Sequence, residues 1–459
     1  MTIREAADAL RRRKVSAVEL TGAALGRIER GNPTLRAFLT VTAEEALAQA
    51  RQADSELAAG KDRGPLHGIP MASKDLFYTR GVLTTGGSPI YKNFVPDRDA
   101  EAVARLKAAG AVMLGKLNLH ELAYGITSAN PHFGAVANPW NPKHSPGGSS
   151  GGSGAAVAAG MVYAALGTDT GGSIRIPASF CGTVGLKPTY GRVSRRGVMP
   201  LSWSLDHVGP LTASVRDAAL VLNAIAGHDP ADRSSSRHPV VDFMPEESDV
   251  RGLRVGFPEN FFFERLDVEV ELAVRGAIAR LESLGAAIKP IKLPDMAALN
   301  AVGRIILLCE ASAVMEPHLA NRSQFGPDVL ALLDQGRLLP ATDYIHAQRL
   351  RRQMVHQFSQ VWSDVDCLVT PTTPNTAPRI GEQTVKLGGR DEDVRLATTR
   401  LVRSLNLLGL PALSLPCGLS AAGLPVGLQI VAPAFEEALV LRVGAALEDG
   451  GIGIPRCPF

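Results

Sequence analysis

Apolar positions recur at helical spacing over residues 3–13 and 17–30, and again from Ala43 to Ala59, an Ala/Glu/Gln-rich stretch that stops at Gly60. Ser16 and Glu19 make a Ser-x-x-Glu capping box at the start of the second helix. Beyond Gly64 the pattern changes. Turn residues from Gly64 to Gly68 lead into a short apolar strand that ends on Lys74, with Asp75 next. Asp99–Ala109 reads as helix and Ala111–Leu114 as a buried strand. A strand at Leu253–Phe257 is followed by a helix at Val268–Leu284 and a strand at Ala286–Ile291. Strands alternating with helices predict an α/β sheet covered by helices.

No fixed-period repeat is present. Residues 229–250 are polar and proline-rich, and read as a long surface connection between two halves of the sheet. From Ala301 to Gln360 the chain is helical in pattern, and Pro371–Arg390 is rich in turn residues. Those two segments predict a cap over the sheet on the substrate side. Leu405–Val431 returns to short strands, broken by Pro411 and Pro416. The resulting division is a helical segment packing on the core (1–60), a core carrying the motifs (61–300), a cap at the substrate entrance (301–390) and a return to the sheet (391–459).

The stretch Gly147–Pro177 stands apart. A glycine–serine run is followed by the small-residue apolar segment Ala155–Leu166, then by a second run, Gly167–Ser173. Glycine admits positive φ and close approach at an entropic cost. Two such runs around one buried segment imply that the backbone presents hydroxyls and N–H groups to a shared cavity. A flexible linker would not lead at once into a segment that must pack tightly. Ala155–Leu166 is too short to span a bilayer and reads as a core helix.

The 459 residues are 45% hydrophobic and 20% charged with a net charge of +3, the profile of an ordinary globular protein. Nothing marks a nucleic-acid or membrane partner. The basic cluster Arg11–Lys14 reads as a solvated helix end. Five scattered cysteines without a CxxC spacing argue against a disulfide framework and a zinc site, and fit a reducing compartment. The N-terminus carries acids and no apolar h-region. These features predict a cytoplasmic protein without cofactor or metal.

Several motifs are absent: GxxxxGK[ST], a GxGxxG after a strand, the second histidine of a zinc-protease helix, and Ser-x-x-Lys. Gly147-x-Ser149-x-Gly151 and Gly148-x-Ser150-x-Gly152 match a nucleophile elbow, but the proline-rich approach Asn138–Pro146 is no central strand. Ser150 and Ser153 read as structural hydroxyls tying the loop. Asp169 and Arg175 read as a buried or half-buried ion pair holding it. Cys181 reads as a small core residue, and His144 and His207 read as surface or packing residues.

GIPMASKD, SPGGSSGGSGAA, GTDTGGSIRIPASFCGTVGLKPTYGRVS, SLDHVGPLTASVRDAA and NLLGLPALSLPCG together resemble the amidase-signature family over nearly the whole chain. The resemblance implies a central mixed β-sheet covered on both faces by α-helices, in a single large domain. It places the family's lysine on Lys74, its bridging serine, preceded by a cis peptide bond, on Ser149, and its nucleophile on Ser173. The oxyanion hole would be the backbone N–H groups of Thr170, Gly171, Gly172 and Ser173. Gly125 falls in the segment that lines the substrate site.

The chemistry is consistent with those assignments. A serine hydroxyl needs a base to become a nucleophile. Lys74 can serve if it is neutral, and burial lowers a lysine pKa. Asp75 would oppose this, but neighbouring strand residues face opposite ways. A backbone donor aimed at the oxyanion is worth about 3–4 kcal/mol of barrier.

The implied activity is hydrolysis of amide C–N bonds, extending to aryl amides, carbamates or esters, through an acyl-enzyme. The partner is a small-molecule amide or carbamate, and the protein is a monomer or homodimer. One family branch is the glutamine-hydrolysing component of the tRNA-dependent amidotransferases, which has an aspartate ahead of the Asn-Leu-x-Gly-Leu-Pro-Ala block. Ungapped alignment puts Thr399 there, which favours a free-standing hydrolase over that component. A catalytically inactive scaffold is disfavoured because Lys74, Ser149 and Ser173 are all present.

Overall fold

The computed structural model describes residues 1–459, and its backbone is organised by one eleven-stranded sheet. Across the sheet the strands run Phe38–Val41, Val112–Leu117, Pro70–Lys74, Ala164–Asp169, His207–Thr212, Val184–Lys187, Ala412–Leu419, Pro425–Val431, Cys367–Pro371, Arg254–Pro258 and Ala287–Ile291. Pro70–Lys74 lies parallel to both its neighbours, and Arg254–Pro258 does likewise near the other edge. The strands between are antiparallel, so the sheet is mixed. Every residue of Pro70–Lys74, Val112–Leu117, Ala164–Asp169 and His207–Thr212 is buried, as expected for strands covered on both faces.

The sequence-predicted helices fall where expected: Ile3–Arg11, Ala17–Leu35 with the Ser16/Glu19 capping box complete, Ala43–Ala58, Glu101–Ala108 and Val268–Ser283. Residues 229–250 form no helix or strand and connect the two halves of the sheet. Helices Met296–Met315, Pro327–Arg337 and Ala341–Ser359 pack together on one side. The stretch Met296–Gln324 is long and apolar enough to cross a membrane by length and composition alone; half of its most apolar 18-residue window is buried inside the protein.

Two expectations change. Ala155–Leu166 is not one core helix: a helix spans Gly151–Ala158, the chain turns through Gly160, and Ala164–Asp169 is a central strand. Pairing with Pro70–Lys74 and His207–Thr212 on either side outweighs the helix propensity of Ala164-Ala165-Leu166. The helix also begins inside the glycine run, where a loop is the simpler reading. A Cβ on Gly152 would stand 2.3 Å from the Asn118 carbonyl oxygen and 2.7 Å from that of Ala37. Glycine there lets the helix settle against the end of the Val112–Leu117 strand. In the turn-rich segment, Thr384–Leu387 and Arg390–Asp393 pair as a small antiparallel ribbon.

Candidate active site

Lys74 and Asp169 end two adjacent parallel strands, the place where open α/β sheets hold ligands. Lys74 is fully buried. Its Nζ lies 2.7 Å from Ser149 Oγ and 2.9 Å from Thr168 Oγ1. Burial lowers its pKa from 10.5 to about 7, while the charges of Asp206 and Asp169 pull the other way. A neutral amine has one lone pair and two N–H donors, so it can accept from Ser149 while donating to Thr168. Asp75 stays clear, as the strand alternation predicts: its carboxylate faces Thr85 and stands 3.5 Å from Lys116.

Ser149 precedes the Gly151–Ala158 helix. Its backbone N–H donates to Ser173 Oγ at 3.0 Å, and both serines are buried, with 1% and 6% exposure. Lys74, Ser149 and Ser173 are therefore contiguous. The second contact is made by the main chain of Ser149, not by its hydroxyl. The expected cis peptide before Ser149 is not present, and every peptide bond in the chain is trans. Gly147 and Gly148, at φ +78° and +60°, turn the chain instead and bring that N–H to face Ser173.

The loop 170–173 is held from behind by Asp169. Its carboxylate accepts from the N–H groups of Gly172 (2.7 Å), Ile174 and Arg175, and pairs with the Arg175 guanidinium at 3.0 Å. Arg175 keeps that carboxyl far below the usual carboxylate range. Asn406 and Gln429 complete the brace. Asn406 bonds both Asp169 and Arg175, and Gln429 accepts from Arg175 at 2.7 Å.

Of the four predicted oxyanion donors, the Gly172 N–H already serves Asp169. Those of Thr170, Gly171 and Ser173 donate to nothing in the protein. Gly172 sits at φ +119°, and a Cβ there would meet Val402 Cγ2 at 2.4 Å, so its glycine serves the shape of the loop.

The bland readings of the neighbours hold. Ser150 Oγ and Ser153 Oγ donate to the carbonyls of Thr168 and Leu166. Cys181 is buried, and His207 packs against Tyr190. Gly125 lines the cavity in front of Ser173, a space of about 130 Å³, together with Tyr124, Thr170, Gly171, Leu308 and Leu332. For scale, a cavity of about 150 Å³ accommodates benzene.

Sequence reasoning passed over several residues here. Thr168 touches the lysine. Asp206, buried and accepting from Thr170 Oγ1 at 2.6 Å, sits in its electrostatic field. Arg304 and Arg403 reach the same cavity from distant segments. The one signal for Arg304 was a lone charge in the apolar helical run Ala301–Cys309.

A family model described as "Amidase" matches residues 19–441. The A-type component of a glutamyl-tRNA(Gln) amidotransferase from Roseiflexus sp. (strain RS-1) is 45% identical, covering 98% of this chain and 96% of its own. One solved structure comes from work on a vestigial protein complex that reveals the evolutionary origins of an s-triazine catabolic enzyme. It is 37% identical, superposes with a TM-score of 0.96 and covers 100% of both chains. A bacterial aryl acylamidase of the amidase-signature family is 26% identical with a TM-score of 0.89, over 98% of this chain and 96% of its own.

Proposed function

Because the chain belongs to the amidase family, we propose that it hydrolyses the amide bond of a small substrate through Ser173 and an acyl-enzyme. The observation that carries this is the buried amine of Lys74, 2.7 Å from Ser149 Oγ, with Ser149 in turn bonded to Ser173. Ser173 Oγ attacks the carbonyl carbon. Its proton passes by way of Ser149 Oγ to neutral Lys74 and is later delivered to the departing nitrogen. Water then releases the acid by the reverse relay. This needs the Ser173 hydroxyl to turn toward Ser149 Oγ when substrate is bound; such contacts tighten on binding in many enzymes. The free N–H groups of Thr170, Gly171 and Ser173 receive the oxyanion. Segment 301–390 contributes Arg304, Leu307, Leu308 and Leu332 to the cavity wall, in keeping with a cap that shapes the substrate entrance.

The relatives' names favour the amidotransferase reading over the free-standing hydrolase. Glutamine is accordingly the first amide to test, and the working form is the chain within a complex. A free-standing hydrolase of aryl amides or carbamates is the second reading. It is favoured by the neutral Thr399 on the cavity wall.

The test is labelling by a fluorophosphonate together with ammonia release from glutamine and nitroaniline release from acyl-nitroanilides. Ser173→Ala should abolish both labelling and turnover. Labelling of that variant at wild-type stoichiometry would assign the nucleophile elsewhere.

A further inference from the structure

The cavity in front of Ser173 is walled by two guanidinium groups that no carboxylate neutralises. Arg403 makes one hydrogen bond, from Nη2 to Thr399 Oγ1 at 2.7 Å, and its Nε is out of water and donates to nothing. Arg304 reaches only Gln335, at 3.4 Å. Tyr124, 5% exposed, leaves its hydroxyl without a partner on the same wall. Burial and the charge of Arg304 push the Arg403 pKa down to about 10, the mark of a cation short of counter-charge.

Three buried cations around the site, by contrast, are answered. Arg175 has Asp169, Lys116 has Asp75 and two oxygens, and Lys187 bonds the carbonyls of Leu410 and Pro188. Asp393 also lines the cavity, but its carboxylate caps the Val394–Thr399 helix and faces Arg395 at 3.8 Å.

Resting on the assignment of Ser173 above, we propose that Arg403 and Arg304, with the Tyr124 hydroxyl, bind a carboxylate carried by the substrate. Two buried donors without partners, Arg403 Nε and the Tyr124 hydroxyl, beside the second guanidinium of Arg304, match the acceptor capacity of a carboxylate, and arginine is the residue suited to bind one in two-point fashion. The spacing limits the substrate further. A Cβ on Gly171 would stand 3.8 Å from Arg403 Nε, so the guanidinium abuts the loop that receives the oxyanion. The carboxylate is therefore a short spacer away from the scissile carbonyl. The substrate class is a monoamide of a short dicarboxylic acid, or an amide of that shape and charge.

The experiment compares ammonia release from succinamate and from its neutral diamide, succinamide. Wild type should favour succinamate by about 10- to 100-fold in kcat/KM, the range for charge-assisted hydrogen bonds that a neutral analogue cannot make. The preference should shrink at least 5-fold in Arg304→Gln and vanish in Arg403→Gln. Calorimetric binding of succinate, which needs no turnover, should be seen with wild type and lost in Arg403→Gln. Equal rates on the two amides, a preference intact in both variants, or no succinate binding to wild type would each overturn the proposal. A wrong nucleophile is read separately, by labelling of Ser173→Ala, and leaves the succinate result standing.

Discussion

Replacing Asp206 with asparagine should move the pH dependence of Ser173 acylation toward acid. Lys74 accepts a proton only as the free amine, so acylation rises with pH and reaches half its plateau near the lysine pKa, about 7. Burial sets that value against two carboxylates that stabilise the ammonium, Asp206 and Asp169. Asp169 cannot be altered without freeing Arg175, but Asp206 can. One of its oxygens accepts from the N–H groups of Leu201 (2.8 Å) and Ser202 (3.0 Å), which an amide carbonyl also satisfies. The other accepts from Thr170 Oγ1, where the amide nitrogen of D206N can donate instead. Loss of a unit charge from so buried a shell lowers a neighbouring amine by on the order of one pH unit, about 1 kcal/mol. The assay is the second-order rate of fluorophosphonate labelling from pH 5.5 to 9.5, with the site of labelling mapped by mass spectrometry. The expected profile has its midpoint near 7 in wild type and about one unit lower in D206N, so that the variant is faster than wild type relative to its own plateau at pH 6. A wild-type midpoint above 9, or a variant midpoint that stays put or moves to alkali, refutes the role given to Lys74.

Stability carries the same signature. Folding lowers the Lys74 pKa from 10.5 to about 7, so between these values the unfolded chain binds more protons and stability rises with pH. Against Lys74→Met, wild type should gain roughly 1 kcal/mol per pH unit from pH 7.5 to 9.5 in urea unfolding; a pH-independent difference contradicts a buried amine of low pKa. Gly172→Ala places a Cβ 2.4 Å from Val402 Cγ2 and 2.7 Å from Ile176 Cδ1 at a positive φ, and should cost about 2 kcal/mol or more. In Gly171→Ala the new Cβ meets only Arg403, at 3.8 Å, and the unfolding midpoint should barely move.

What the sequence reveals about this site follows the range of the interactions. Lys74 at a strand end, the serines of the glycine runs and the Asp169–Arg175 pair are local features, and each stands where the residues around it predict. The Gly151–Ala158 helix was hidden because its glycines answer carbonyls of Ala37 and Asn118, which no local pattern announces. The family resemblance sets the Gly172 N–H among the oxyanion donors, and nothing in the run itself tells that Asp169 turns back to accept from it. Asn406 lay in plain view in the NLLGLPALS block, yet its task, bracing an ion pair 237 positions away in sequence, depends on where the sheet brings the chain ends together. Arg304 and Arg403 were silent for the same reason.

The two halves of the site solve opposite electrostatic problems, and this explains how they coexist. The proposed relay behind Ser173 needs an uncharged amine, and Lys74 is deeply buried there while two carboxylates keep its pKa within reach of neutrality. Asp169 can stay ionised there because Arg175 neutralises it, and Asn406 and Gln429 fill the remaining hydrogen bonds. An unpaired cation on that side would push Lys74 further down and unbalance Asp169. In front of Ser173 the balance is left open: Arg403 leans on a neutral threonine, and Tyr124 donates to nothing. Filling that wall with an acid of the protein's own would stabilise the empty site and close it to an anion. Leaving it open costs folding stability and makes a negatively charged substrate the group that completes the shell, so the binding of that charge and its placement beside the oxyanion loop become one event.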